Sequence, residues 1–145
     1  MIQRIQSIYL FLSGLSCFGL YKLPFAQVAV PAINSDLFKD GAYTIQDNTI
    51  MMMVYSLAGL LALGAIFLFK NRSLQIKIVL GAIATAVVGS VLTIMDYVQD
   101  KGLTGVEVKD GYGIGLPVFA IIFALAAIRF IRKDSELVRS MDRLR

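Results

Sequence analysis

Few residues in the apolar parts of this chain could do chemistry, and their types narrow what that chemistry could be. There is no His and a single Cys, Cys17. Haem ligation by His, a His-based triad and a Cys/His zinc site all need residues the chain lacks. A Cys-x-x-Cys redox pair or an intramolecular disulfide needs a second thiol. Asp96 is the acid that comes nearest to an apolar run, and ionisable groups inside such runs are functional candidates by default. It stands at the end of its run beside Tyr97, where a wet, interfacial carboxylate is expected. No second buried acid or base is expected near it to relay a proton. Ser56, Thr85, Ser90 and Thr93 are expected to bond back to carbonyls of their own helices. Gly111, Gly113 and Gly115 lack the Lys-Ser/Thr that follows the glycines of a phosphate loop. They are expected instead to allow a tight turn into the run that Pro117 opens. No catalytic residue, metal ligand or cofactor is expected.

The elements that carry these residues are dominated by apolar runs. Of 145 residues, 57% are hydrophobic and 17% charged, where a soluble domain has about 25% charged. The mean hydropathy is +0.73. The length suits one domain. A membrane span takes about 20 mostly apolar residues. Four runs qualify, over about 5–23, 50–69, 78–97 and 114–131. The fold class expected is an all-α, four-span antiparallel bundle with a helical tail over 132–145. The first run could also be read as a signal peptide, with Arg4 ahead of it and small residues at Ala26–Ala32. Its length and the absence of a clear A-x-A site favour an uncleaved helix.

Orientation follows from Lys and Arg. Arg4, Lys70, Arg72, Lys77, Arg129, Arg132, Lys133, Arg139, Arg143 and Arg145 would share one side. Lys22, Lys39, Lys101 and Lys109 would share the other, with most of the acids, Asp36 and Glu107 among them. That places both termini in the cytoplasm. Tyr21, Tyr97 and Tyr112 fall at the outer ends of runs, where an amphipathic ring suits the headgroup layer. The net charge of +4 therefore tracks topology, and no nucleic-acid partner is expected.

Helices in lipid associate by close packing, which small residues permit. The third run carries Gly81, Thr85 and Gly89 at i, i+4 and i+8, with Ala82, Ala86 and Ser90 beside them. These two stripes predict that the third helix is central to the bundle. They serve either the monomer alone or, with one stripe left over, a partner. A change such as Gly89→Leu is expected to break packing in both cases.

Lys39-Asp40-Gly41 reads as a turn between Leu37-Phe38 and Tyr43-Thr44-Ile45. Val106-Glu107-Val108 alternates like a short strand. The two outer loops could thus form a small β-hairpin cap. The tail pairs Arg132 with Glu136, Glu136 with Arg139 and Asp142 with Arg145 at helical spacing, and puts Phe130, Leu137, Met141 and Leu144 on one face. Arg132, Lys133, Arg139, Arg143 and Arg145 are candidate contacts to anionic lipid or to a docking partner.

The opening Met1-Ile2-Gln3-Arg4-Ile5-Gln6-Ser7-Ile8-Tyr9-Leu10 and the closing Ile131-Arg132-Lys133-Asp134-Ser135-Glu136-Leu137-Val138-Arg139-Ser140-Met141-Asp142-Arg143-Leu144-Arg145 resemble those of a domain-of-unknown-function family of small four-helix membrane proteins from Bacteroidetes. The resemblance implies the inner membrane of a Gram-negative bacterium and carries over no catalytic or ligand-binding residue.

The reading that follows is a non-enzymatic accessory or scaffold subunit, acting through helix faces and cytoplasmic ends. Its partners would be membrane lipids and a membrane protein or a second copy of the chain. The alternative is a small transporter or channel, which would need polar groups facing a shared cavity. A lipid-modifying enzyme comes third, because it would need converging acids, bases or metal ligands.

Overall fold

A computed structural model describes residues 2–29, 37–104 and 108–142, with side chains described over 5–29, 37–99 and 108–138. Asp36, Val106, Glu107, Arg143, Leu144 and Arg145 lie outside the described residues, as do the side chains of Arg4, Lys101, Arg139, Met141 and Asp142. Four helices dominate: α1 (Ile2–Gly19), α2 (Thr49–Ile66), α3 (Arg72–Thr104) and α4 (Leu116–Asp142). Their starts follow from local chemistry. Asn48 Oδ1 accepts from Ile50 N at 3.0 Å and caps α2; Asn71 Oδ1 accepts from Leu74 N at 3.1 Å and does the same for α3. Pro117 falls in the first turn of α4, where its missing N–H needs no partner.

Three stretches are long and apolar enough to cross a membrane: Thr49–Ile66, Arg72–Gln99 and Tyr112–Val138. The apolar part of α1, Ile5–Gly19, is shorter. At about 1.5 Å per residue it reaches about 22 Å, against a hydrocarbon core of about 30 Å. All four helices turn large apolar side chains outward, among them Phe11, Leu60, Val88 and Ile122, each about half exposed or more. Hydrophobic surface of that extent marks a membrane protein.

The helices form a ring in chain order, each antiparallel to its neighbours. Gln6 meets Phe130 and Ser13 meets Ala120; Tyr21 meets Ser56; Gln75 meets Ala65 and Tyr55 meets Thr93; Arg72 meets Asp134. No helix is central. This corrects the expectation for the third helix, which packs along α2 and α4 and lies diagonally across from α1. The most extensive packing is between α1 and α4.

The buried residues explain why. They recur at alternating steps of three and four: Gln6, Leu10, Ser13, Cys17 and Leu20 from α1 onward; Met51, Tyr55, Ala58, Ala62 and Ala65 on α2; Gln75, Val79, Ala82, Ala86, Gly89 and Thr93 on α3; Pro117, Ala120, Ala124, Ala127 and Ile131 on α4. That average step of 3.5 is the seam of a coiled-coil-like bundle. Cys17, Ala58, Ala86 and Ala120 pack together in one layer at its middle. The side chains there are small, so the four backbones run close.

At the end opposite the helical tail sits a three-stranded antiparallel sheet, in the order β2 (Ala42–Tyr43), β1 (Ala26–Val28), β3 (Val108–Asp110). Ala26 pairs with Tyr43 on one side and Asp110 on the other. The hairpin expected between Leu37-Phe38 and Tyr43 does not form. Lys39 and Asp40 do turn, with Gly41 N bonding to Phe38 O at 3.2 Å and Gly41 at φ 79°. The strand this delivers pairs with Ala26–Val28 instead. Phe38 is needed elsewhere, buried under the sheet against Tyr43. The later helices also run on past their expected ends. α3 continues to Thr104, and α4 passes without a break into the tail.

Candidate functional site

The small residues singled out on α3 divide between inside and outside. Ala82, Ala86 and Gly89 are buried in the seam, while Gly81, Thr85 and Ser90 are partly exposed. The seam therefore takes members of both stripes and follows neither. A Cβ on Gly89 would come within 2.8 Å of the Tyr55 ring, so this glycine lets the ring lie flat on α3. A Cβ on Gly81 would meet only Leu61, at 3.8 Å, and one on Gly64 of α2 would meet nothing within 4 Å. The hydroxyls bond back within their own helices: Ser56 to Met52 O, Thr85 to Gly81 O, Ser90 to Ala86 O and Thr93 to Gly89 O, at 2.5 to 3.0 Å.

Beneath the sheet lies a fully buried cluster of Phe25, Phe38, Tyr43, Ile45, Met51 and Tyr55. Its polar atoms satisfy one another. The Tyr43 hydroxyl donates to the Met51 sulfur at 3.4 Å, and the Thr93 hydroxyl oxygen, whose one proton is shared between Gly89 O and that sulfur at 2.9 and 3.2 Å, lies 3.1 Å from the Tyr55 hydroxyl. The sheet is thereby part of the bundle core and not a detachable lid. Gly111 and Gly113 fix it from the other side. Their N–H groups bond to Phe25 O and Pro24 O at 2.8 and 2.9 Å. A Cβ on either would fall within 2.6 Å of the Pro24 carbonyl oxygen. These glycines serve that close backbone approach, and not simply a tight turn into the membrane. Next to the cluster, between α3 and α4, is a cavity of about 240 Å³ lined by Tyr55, Ser90, Thr93, Ile94, Pro117 and Val118 among others. Its hydroxyls are already engaged, so it offers mostly apolar walls.

Asp96 sits at this same end, partly buried, and accepts from Asn48 Nδ2 at 2.8 Å. Since Asn48 also caps α2, one amide ties the start of α2 to α3. Tyr97 donates to Asp110 at 3.2 Å. Asp96 thus joins two helices, and Tyr97 holds strand β3 of the cap to α3.

The other end carries the cations. Arg129, Arg132 and Lys133 are exposed on α4. The side chains of Arg139, Arg143 and Arg145 lie outside the described residues. Arg72 meets Asp134 at 2.7 Å, which ties the tail of α4 to the start of α3. Just inside, two buried amides hold helices together. Gln6 Nε2 donates to Phe130 O at 3.2 Å. Gln75 Nε2 donates to Ala65 O at 2.9 Å, which occupies a carbonyl at the open C-terminus of α2. On the flank of α4, beside Leu80, a groove of about 460 Å³ runs from Arg132 down to Ile122.

Gln6, Gln75 and Tyr55 were not singled out in the sequence. Their signal is that each falls at a seam position, where a polar side chain must find a partner on another helix. Among the described residues, no group of three or more His, Cys, Asp or Glu side chains is placed to hold a metal ion.

A family model matches residues 2–144 and describes a domain of unknown function, DUF4293. No curated protein and no solved structure matches the chain.

Proposed function

The chain belongs to the DUF4293 family of unknown function, and from that premise we propose a non-enzymatic accessory or scaffold subunit of a bacterial inner membrane. In this reading all four helices span as one unit, both termini are cytoplasmic, and the origin is Bacteroidetes as the end sequences suggest. The cations Lys70, Arg72, Lys77, Arg129, Arg132 and Lys133 lie at the end away from the sheet, which supports that orientation. For α1, the turn after Gly19 and the packing of Leu20 under the sheet lengthen the apolar path.

The observation that carries the accessory role is the surface left by the small residues. The seam closes on itself, yet Gly81 and Thr85 stay partly exposed and Gly64 stays open. Close helix approach from outside is possible there. Transport would have to run between copies, because the buried layer of Cys17, Ala58, Ala86 and Ala120 fills the middle of the ring.

The test is cross-linking in intact membranes. Cysteine is placed at Gly64 or Gly81 in a Cys17→Ala background, and adducts are identified by mass spectrometry after mild solubilisation. Adducts to one recurrent membrane protein, or to a second copy, are expected. A chain recovered alone as a monomer would sink the accessory role. Separately, a reporter that folds only outside the membrane, fused after Arg145, should stay inactive; activity would overturn the orientation.

A further inference from the structure

The groove on the flank of α4 has the profile of an amphiphile. At its mouth stand Arg129 and Arg132, three residues apart and so on one side of the helix, about 4.5 Å apart along the axis. Below them the walls are Ile128, Leu125, Ile122 and, from α3, Leu80. From Arg132 to Ile122 the descent is ten residues, about 15 Å. The walls change from charged to wholly apolar over that distance. About 460 Å³ is many times the roughly 30 Å³ that a water molecule takes up, so the groove has room for a length of acyl chain.

The depth also fits. Gln75 bonds to Ala65 at the end of α2, and Ala65, Val79, Ala127 and Ile128 share one buried cluster. The Arg129 mouth is therefore level with the last turn of α2, where an apolar span meets the headgroups. The arginines are open to an incoming ligand. Asp134, the acid closest to Arg132 in sequence, is held by Arg72. Lys77, exposed one turn before Leu80 on α3, is a further positive charge on that side of α3.

We propose that this groove is a binding site for an anionic phospholipid, with the phosphate held by Arg129 and Arg132 and an acyl chain laid along Leu125 and Ile122 against Leu80. Guanidinium groups suit this because their planar fork meets phosphate oxygens bidentately. Basic recesses between spans on the cytoplasmic side bind anionic headgroups in this manner. The inference rests on the membrane placement proposed above and not on the accessory role.

The experiment starts with the full chain in its membrane. Carbonate washing should leave it there; release into the supernatant would overturn the membrane placement itself. The chain is then purified in mild detergent and titrated with phosphatidylglycerol, phosphatidylcholine or inorganic phosphate, and bound molecules are counted by native mass spectrometry. One phosphatidylglycerol should bind about tenfold or more tightly than phosphatidylcholine, because both carry a phosphodiester but the choline cation of the latter repels Arg129 and Arg132 and offsets its phosphate charge. The R129Q/R132Q double variant should erase the preference, and R129K/R132K should keep part of it. Ala126→Phe, which fills the groove and leaves both arginines, should reduce retention of phosphatidylglycerol. Equal binding of the two lipids, a preference that survives R129Q/R132Q, or binding of phosphate alone as tight as that of the lipid would each overturn the site. So would a dimer of the chain that excludes lipid from the groove.

Discussion

Helix α4 has two seams, and they are built differently. Against α1 it presents Ala120 and Ala124, nearly closed to solvent, and is joined at two depths by side chains that reach its backbone, Ser13 to Ala120 O at 2.8 Å and Gln6 to Phe130 O at 3.2 Å. Tyr9 adds a stacked contact with Phe130, centroids 5.2 Å apart. Against α3 the same helix is loosely fitted. One cavity opens near the sheet and one groove near the tail, and the Arg72–Asp134 pair sits at the very start of α3. The lesson is that a membrane bundle need not be uniformly tight. Where small residues face each other, the backbones close and the polar atoms of one helix find the other. Where Leu80 and Ser90 face Ile122 and Val118, the surfaces leave room for something else.

The widest separation between the seams is expected from adding bulk. Ala120→Leu should cost about 1–3 kcal/mol, the usual penalty for overpacking a filled core. Ala126→Leu, in the groove, should stay within about 0.5 kcal/mol. Thermal unfolding in one mild detergent measures both, and equal costs would mean that the two seams are equally packed. A smaller separation comes from hydroxyls. Ser13→Ala removes a bond between helices and should cost about 0.6 kcal/mol, the average for such bonds in a membrane protein. Thr85→Ala removes only bonds to its own helix, so its unfolding midpoint should not move measurably. The smallest effect should be at Arg72 and Asp134, whose side chains are 27% and 15% exposed. A double-mutant cycle with alanine there should give a coupling under about 1 kcal/mol that shrinks with added salt. A larger, salt-insensitive coupling would show the outer part of this seam to be tighter than its inner part.

Much of this was legible in the residues. The apolar runs give both ends of α2 and the start of α4 to within about three residues, while α3 runs six to seven residues beyond its run at each end; the back-bonded hydroxyls Ser56, Thr85, Ser90 and Thr93 behave as their type and place predict. The seam was not legible as such. Small residues at Gly81, Thr85 and Gly89 fit a step of four, but burial follows Gln75, Val79, Ala82, Ala86, Gly89 and Thr93, at alternating four and three. Gly and Ala suit either register, so only the neighbouring helices decide. Strand β1 was hidden for a similar reason. Ala26-Gln27-Val28 carries a weak local preference and becomes a strand because partners reach it from both sides. The groove could not be read at all, since Arg129 and Leu80 are far apart in the chain and meet only when α4 lies beside α3.

The position of β1 at the centre of its sheet sets a timetable. One partner, Ala42–Tyr43, is made soon after it. The other begins at Val108, 80 residues after Val28, and at a synthesis rate of about 5–20 residues per second it arrives roughly 4–16 s later. Until then, one edge of β1 and the carbonyls of Pro24 and Phe25, which the N–H groups of Gly113 and Gly111 will take up, stand unpaired. Open strand edges are where chains adhere to one another. Newly made chains would thus be most exposed to mispairing before the last helix is in place, and closing the cap would coincide with completing the ring.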